Sequence, residues 1–262
     1  MTVLKLLNSK TMYLSSSVPI FAIVAVQLFF IRSVFSLNQT NAYLNHNCIN
    51  EQGTYMPGSP YDKNLNSLIS TISNLNYNFG FVYSSNGDAP NAVFIKLQCR
   101  GDSYFSKCRS CLATAKSEIS RRCPKNKGTI IWYDHCVLEI SPSDTFDKID
   151  YENSFDMYNA KDVKSDLEAF NKNTWDLLNE LKEKANKKSK KDFMFAAGEK
   201  SLGTKKLYAM VQCTKDLTPN NCNVCLKWIM GKLPKCCKGK EGGRVLSTSC
   251  NFRYELYPFL MI

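Results

Sequence analysis

Five cysteines recur with one spacing in the two halves of this 262-residue chain. Each copy reads C-x8-C-x2-C-x11-C-x12-C, and the second copy opens at Cys213, 114 residues after Cys99 opens the first. So strict a self-match indicates two copies of one structural module. The repeated cysteines are Cys99, Cys108, Cys111, Cys123 and Cys136, then Cys213, Cys222, Cys225, Cys237 and Cys250. We therefore predict module 1 at residues 37–146 and module 2 at residues 147–262.

The first 36 residues have the pattern of a secretory signal peptide. Two lysines precede an apolar run over residues 18–31, and Ser36 ends a plausible cleavage site. The alternative is an uncleaved signal anchor, but a membrane span needs about 20 apolar residues. We expect residues 1–36 to be removed, leaving a secreted chain without a membrane span. Asn38 then begins an N-glycosylation sequon in the mature protein.

The chain is basic, with a formal net charge of +11. Part of the surplus is a lysine-rich run between Lys182 and Lys191, which we interpret as a solvated helix end. Attraction to an acidic cell-wall polymer or a membrane surface is the functional alternative. Because a secreted chain rarely meets nucleic acid, we expect no nucleic-acid partner.

Hydrophobic periodicity predicts the same plan in both modules. The predicted helices cover residues 61–74, 103–121 and 162–185, with a short fourth helix from Pro219, and the predicted strands cover residues 91–99, 129–133, 136–140, 207–213, 244–247 and 250–257. A polar linker is predicted at residues 143–158. The expected fold is α+β: two tandem modules, each with two helices packed on an antiparallel β-sheet and stapled by disulfides.

The cysteines allow three interpretations. The spacing of Cys108, Cys111, Cys123 and Cys136 is compatible with a zinc site, and a C-x2-C at a helix start is compatible with redox chemistry. Secretion and an even set of six cysteines in each module favour structural disulfides. We therefore expect disulfides, with no metal and no cofactor.

Several segments carry a resemblance to a known family. They are the paired C-x8-C-x2-C motifs, I-W-Y-D-H-C at residues 131–136, G-G-R-V-L at residues 242–246 and C-N-F-R-Y-E-L-Y-P at residues 250–258. Together they resemble the plant cysteine-rich repeat secretory proteins over essentially the whole mature chain. The same double module forms the outer part of cysteine-rich receptor-like kinases and plasmodesmata-located proteins. The resemblance implies an apoplastic protein whose partner is a receptor-like ectodomain or a cell-wall glycan.

The resemblance also implies a disulfide pairing. The implied pairs are Cys48–Cys123, Cys99–Cys108 and Cys111–Cys136 in module 1, and Cys213–Cys222 and Cys225–Cys250 in module 2. Module 2 has no counterpart of Cys48, and Cys236 stands beside Cys237. A strained vicinal disulfide, two free thiols and a bond to another chain all remain open for that pair.

No catalytic constellation emerges from the sequence. The two histidines, His46 and His135, are interpreted as structural, and no serine elbow, phosphate loop or H-E-x-x-H motif is present. Enzymatic activity is not expected. An extracellular thiol oxidoreductase using a C-x2-C pair is kept as an alternative.

A candidate glycan site follows from the resemblance. Ginkbilobin-like antifungal members bind mannose through an Asn after the first cysteine, an Arg six residues before the last and a Glu five residues after it. Arg donates and Glu accepts, a combination that can hold vicinal sugar hydroxyls. Module 1 has Ile49, Ile130 and Ser141 at these positions, whereas module 2 has Arg244 and Glu255 but no anchored Asn. The alternative is a cross-strand ion pair between Arg244 and Glu255.

The leading hypothesis is a secreted, non-enzymatic binding protein acting in plant defence or stress signalling through protein or glycan at the cell surface. The main alternative is a mannose-binding antifungal lectin that uses module 2. We also expect module 2 to resist unfolding less than module 1, because it lacks the long-loop cross-link.

Overall fold

The structure is a computed structural model. It describes residues 41–75, 80–103, 106–164, 166–187 and 194–260. The predicted signal peptide, Asn38 and part of the lysine run lie outside the described residues.

Each half of the described chain follows the order strand, helix, two strands, helix, two strands. The strands are β1 (Tyr43–Thr54), β2 (Phe81–Asn86), β3 (Val93–Cys99), β4 (Asn126–Tyr133), β5 (Cys136–Ser141), β6 (Ser154–Tyr158), β7 (Phe195–Leu202), β8 (Lys205–Cys213), β9 (Gly242–Ser247) and β10 (Cys250–Glu255). The helices are α1 (Pro60–Ser73), α2 (Ser106–Arg122), α3 (Leu167–Ala185), α4 (Pro219–Met230) and the short α5 (Leu233–Cys237).

The strands form two five-stranded antiparallel sheets. The order is β1-β4-β5-β3-β2 in module 1 and β6-β9-β10-β8-β7 in module 2, so corresponding strands occupy corresponding places. Each sheet packs against its own helices around a separate apolar core. The predicted α+β class is confirmed, with α5 as an addition in module 2. Among the described helices, none has the length and hydropathy needed to cross a membrane.

The predicted strands are the interior ones, and the four that were not predicted are edge strands. β1 and β2 border the first sheet, and β6 and β7 border the second. Edge strands expose part of their side chains, so their hydrophobic alternation is weak. β6 therefore falls inside the segment predicted to be a linker.

Local capping explains where the first helix of each module begins. The Ser59 hydroxyl accepts the Asp62 N–H ahead of α1 at 3.3 Å. The Asp166 carboxylate accepts an N–H from the first turn of α3 at 3.0 Å. The predicted start of α3 at residue 162 was wrong, because Val163 instead donates its N–H to the Gly239 carbonyl at 2.8 Å.

Disulfides join the helices to the sheets. The five pairs that the resemblance implies are bonded in the structure, with Cα–Cα distances between 5.3 and 6.1 Å. Cys236 and Cys237 bond to each other, and the described cysteines include no free thiol. Four of the bonds attach α2 or α4 to an interior strand, which fixes the layer order in each module.

The two modules pack through a pseudo-symmetric polar contact. Gln98 of β3 accepts the Lys215 N–H at 3.1 Å, and its counterpart Gln212 of β8 accepts the Gly101 N–H at 3.2 Å. Trp132 also donates its indole N–H across the boundary, to the Ser247 carbonyl at 3.2 Å. Because both glutamines are buried, these bonds hold the modules in one register.

Candidate functional site

Arg244 and Glu255 lie on adjacent strands, but they do not pair with each other. In the β9–β10 register Glu255 is opposite Gly242, and Arg244 is opposite Arg253. The Glu255 Oε1 accepts from the Arg253 Nε at 3.1 Å. The Arg244 Nη1 instead reaches Asp134 Oδ1 of module 1 at 2.7 Å. The cross-strand ion pair considered from the sequence is therefore replaced by two other ion pairs.

Asn159 supplies the asparagine that the sequence analysis did not find. In module 1, Ile49 on β1 is opposite Gly128. In module 2, the Asn159 N–H donates to the Gly242 carbonyl at 2.8 Å, and Gly242 is the repeat counterpart of Gly128. Asn159 thus follows β6 at the place that Ile49 holds on β1. Module 2 has no cysteine ahead of this position, as the sequence indicated, but the strand register places an asparagine there.

Sequence reasoning missed Asn159 because the spacing changes at the first strand. Tyr158 is opposite Gly243 in module 2, as Cys48 is opposite Thr129 in module 1. Tyr158 therefore replaces the cysteine that marks the position, at an offset of 110 residues from Cys48 rather than 114. The strand register reveals the match.

These side chains share one cleft on module 2. It has a volume of about 200 Å³ and is open to solvent. Tyr158 and Tyr257 are 56% and 46% exposed, so their rings are available at the surface. The lining consists of Met157, Tyr158, Asn159, Gly243, Arg244, Arg253, Glu255 and Tyr257.

Glu255 is a buried acceptor in this cleft. Its side chain is 10% exposed, and its Oε2 has no hydrogen-bond partner within the described part of the chain. A Cβ at Gly242 would overlap this oxygen, so glycine makes room for the carboxylate. Burial raises the pKa of Glu255, against the opposing effects of Arg253, of a hydrogen bond between the Tyr257 hydroxyl and the carboxylate, and of Arg244. A carboxylate in this position can accept a ligand hydroxyl.

Asp134 connects module 1 to the cleft. Its carboxylate contacts Arg100, Arg244 and Arg253 at 3.0, 2.7 and 3.1 Å. Burial by itself would raise the pKa of Asp134, but the three guanidinium groups outweigh it and lower that pKa. Asp134 therefore remains ionised and compensates the charge of the arginines.

The corresponding positions of module 1 do not form such a site. Ile130 and Ser141 are 0% and 2% exposed, and Ile130 offers no polar group. The Cys48–Cys123 disulfide holds β1 against the sheet there. The polar cleft is thus particular to module 2.

The two histidines lie apart from the cleft. His135 Nδ1 lies 2.9 Å from the Ser103 hydroxyl, but the two residues are 6% and 1% exposed. His46 lies beside the cysteines of the Cys48–Cys123 bond, whose sulfurs are already paired. The first pair is buried, and the sulfurs beside His46 are bonded to each other, so they are not thiolates that could bind a metal.

The fold and the site define a disulfide-stapled tandem repeat protein with a polar cleft on one repeat. The chain belongs to the family described as salt stress response/antifungal, which matches residues 47–143 and 157–257.

Close relatives carry a name of the same kind. The putative cysteine-rich repeat secretory protein 21 of Arabidopsis thaliana is 81% identical over 246 residues, which cover 94% of this chain and 96% of the relative. Protein 22 of the same series, also from Arabidopsis thaliana, is 60% identical over 97% of this chain and 99% of its own. Together with the disulfides, these relatives support secretion.

Solved structures share the fold. The tandem DUF26 ectodomain of the Arabidopsis thaliana cysteine-rich receptor-like protein PDLP8 matches with a TM-score of 0.73 and 24% identity, over 84% of this chain and all of that ectodomain. The PDLP5 ectodomain, from the same organism, matches with a TM-score of 0.68 and 20% identity, over 82% of this chain and all of its own. At these identities the likeness establishes the tandem fold alone.

Proposed function

We propose that this protein is a secreted, non-enzymatic binding protein whose module 2 cleft binds a neutral sugar residue in the apoplast, in plant defence or stress. The observation that carries the proposal is the convergence of Asn159, Arg244 and Glu255 on one cleft. These are the residue types through which the ginkbilobin-like members bind mannose.

The chemistry of the cleft supports a sugar ligand. The described contacts of Arg244 use only Nη1, so its Nε and Nη2 are donors for a ligand. Glu255 Oε2 is an acceptor without a partner among the described residues. The Asn159 amide nitrogen is a donor, and its oxygen, which accepts the Lys161 N–H at 3.0 Å, keeps a second lone pair. The exposed rings of Tyr158 and Tyr257 suit the apolar face of a sugar. A concave site with a few placed polar groups among aromatic residues is typical of small-ligand binding.

The cysteine geometry argues against a thiol oxidoreductase. Such an enzyme needs the two cysteines of C-x2-C to bond with each other. Here Cys108 and Cys111 bond instead to Cys99 and Cys136, and both are fully buried. The C-x2-C of module 2 has the same arrangement.

Calorimetric titration of the secreted chain with methyl α-mannoside and mannan oligosaccharides tests the proposal. We expect binding by the wild type, and an affinity loss of about tenfold or more in Glu255→Gln, equivalent to roughly 1.4 kcal/mol. Glu199→Gln, which removes the same charge from exposed β7, is the matched control and should bind as the wild type. Sugar binding that Glu255→Gln leaves intact would place the site elsewhere.

A receptor-like ectodomain is the second candidate partner. An exposed aromatic cluster favours it: Tyr151 is 50% exposed and packs edge-on against Trp228 with ring centroids 5.0 Å apart. Lys232 lies over the Trp228 ring at 4.4 Å. Exposed aromatic residues are typical of interface centres. Lost binding of Tyr151→Ala to a receptor-like ectodomain in a pull-down assay would support this candidate, and unchanged binding would contradict this surface.

A further inference from the structure

We propose that Asp134 of module 1 determines which sugars the module 2 cleft accepts, by holding Arg244 and Arg253 in place and compensating their charge. The inference rests on the proposed function. It implies that the ligand preference of the cleft depends on both modules, although every residue that lines the cleft belongs to module 2.

Asp134 acts on both arginines through one oxygen. Its Oδ1 accepts from Arg244 Nη1 at 2.7 Å and from Arg253 Nη1 at 3.1 Å, while its Oδ2 accepts from Arg100 at 3.0 Å. Arg253 is also held by Glu255, and its Nη2 donates to the Tyr257 hydroxyl at 2.9 Å. For Arg244, Asp134 is the one ion-pair partner among the described residues.

The arginines form a wall between two cavities. Arg244 and Arg253 line the 200 Å³ cleft and also an inner cavity of about 40 Å³ at the boundary between the modules. Asp134 lines the inner cavity but not the cleft. It therefore contacts the guanidinium groups from behind and acts as a positioning residue that does not touch the ligand.

Charge balance connects this geometry to specificity. Three arginines are matched by three carboxylates in this network, so its formal charge is zero: Arg100, Arg244 and Arg253 face Asp102, Asp134 and Glu255. Such a cleft suits an uncharged hydroxyl-bearing ring. Without the charge of Asp134, one positive charge would be uncompensated in a partly buried site, and an acidic sugar such as a uronate would be favoured.

The repeat provides internal support. Asp134 and Arg244 correspond to Thr248 and Ile130 at the 114-residue offset. Both residues therefore differ in type from their repeat counterparts, and they contact each other across the module boundary. At the matching place, Ile130 of module 1 carries no charge, and Thr248 of module 2 offers no carboxylate.

The test compares the full secreted chain with Asp134→Asn by titration with methyl α-mannoside and with galacturonic acid at pH 6. We expect the wild type to prefer the mannoside. In Asp134→Asn the ratio of mannoside affinity to galacturonate affinity should fall by about tenfold. Asp88→Asn is the matched control, since it removes the same charge from an exposed loop of module 1. Asp88 lines neither of the two cavities, so its ratio should stay within about twofold of the wild type.

The outcomes separate the two proposals. A wild type that binds neither sugar overturns the proposed function and this inference with it. Mannoside binding with an unchanged ratio in Asp134→Asn, or an equal shift in Asp88→Asn, overturns the inference alone. Should Asp134→Asn fail to fold, Asp134→Glu keeps the charge but displaces the carboxylate. It should weaken mannoside binding while preserving the preference, and wild-type affinity in that variant would contradict the positioning role.

Discussion

The first strands of the two modules have the same place in the sheet but are held in different ways. β1 is attached to the end of α2 through Cys48–Cys123, which joins residues 75 apart in sequence. β6 has Tyr158 at the place of Cys48, and the cysteine that corresponds to Cys123 bonds to its own neighbour. Where the covalent link is absent, the edge carries an exposed ring and borders an open cleft. The same strand position therefore carries a disulfide in module 1 and borders a polar cleft in module 2.

The largest effect is expected from the cross-links themselves. Removing Cys48–Cys123 by the double change to serine should destabilise the chain by about 4–5 kcal/mol, because that bond closes the longest loop in the unfolded chain. Removing Cys236–Cys237 in the same way should have an effect below about 1 kcal/mol, since a bond between neighbours closes almost no loop. Denaturant unfolding under non-reducing conditions measures both. Equal losses would mean that the vicinal bond stabilises the folded state directly.

A second contrast concerns a buried ion network that belongs mainly to module 1. Lys96 lies 3.3 Å from Glu139 and 3.5 Å from Asp216 of module 2, whereas its repeat counterpart is Met210. Lys96→Met leaves two buried carboxylates without their cation, so we expect a loss of about 3–5 kcal/mol at pH 7. Denaturant melts provide the measurement, with Lys63→Met on exposed α1 as the control. A loss below about 1 kcal/mol would show that the boundary tolerates unpaired carboxylates.

Two carboxylates at the module boundary, Glu139 and Asp134, should contribute to the free energy of unfolding with opposite pH dependence. Burial raises the pKa of Glu139, although Lys96 opposes this effect. The contribution of Glu139 to stability is therefore complete below the ordinary pKa of 4.5, and it is lost as pH rises through the folded-state pKa. The pKa of Asp134 is lowered despite burial, through Arg100, Arg253 and Arg244, so its effect is present above 3.8 and is lost as pH falls. Glu139→Gln should flatten the decline in unfolding free energy above pH 4.5, measured by denaturant melts at several pH values. An unchanged slope would show that Glu139 does not titrate differently on folding.

There is a physical reason why some strands and site residues could be predicted from the sequence and others could not. Interior strands such as β3 and β8 were predictable because both faces are buried and the apolar residues are regular. The edge strands were not, because β6 exposes Asp156, Met157 and Tyr158. Arg244 and Glu255 were found through the motif, but Asn159 required the strand register. The role of Asp134 depends on how two modules meet, which no local pattern encodes.

A smaller difference is expected in the local stability of the edge strands β1 and β6. In native-state hydrogen exchange of the full chain, amides of β6 that pair with β9 should exchange about tenfold faster than those of β1 that pair with β4, since no disulfide holds β6. The interior strands β5 and β10 serve as internal references. Slower exchange in β6 would contradict the expectation that module 2 resists unfolding less than module 1.

The most direct test of the account is an NMR titration of the full chain with methyl α-mannoside, followed through backbone amide shifts. We expect shifts to concentrate at Asn159, Arg244 and Glu255, and to be absent around Ile130 and Ser141, the matching positions of module 1. Shifts centred in module 1, or none at saturating mannoside, would contradict the claim that the cleft of module 2 is the sugar-binding site.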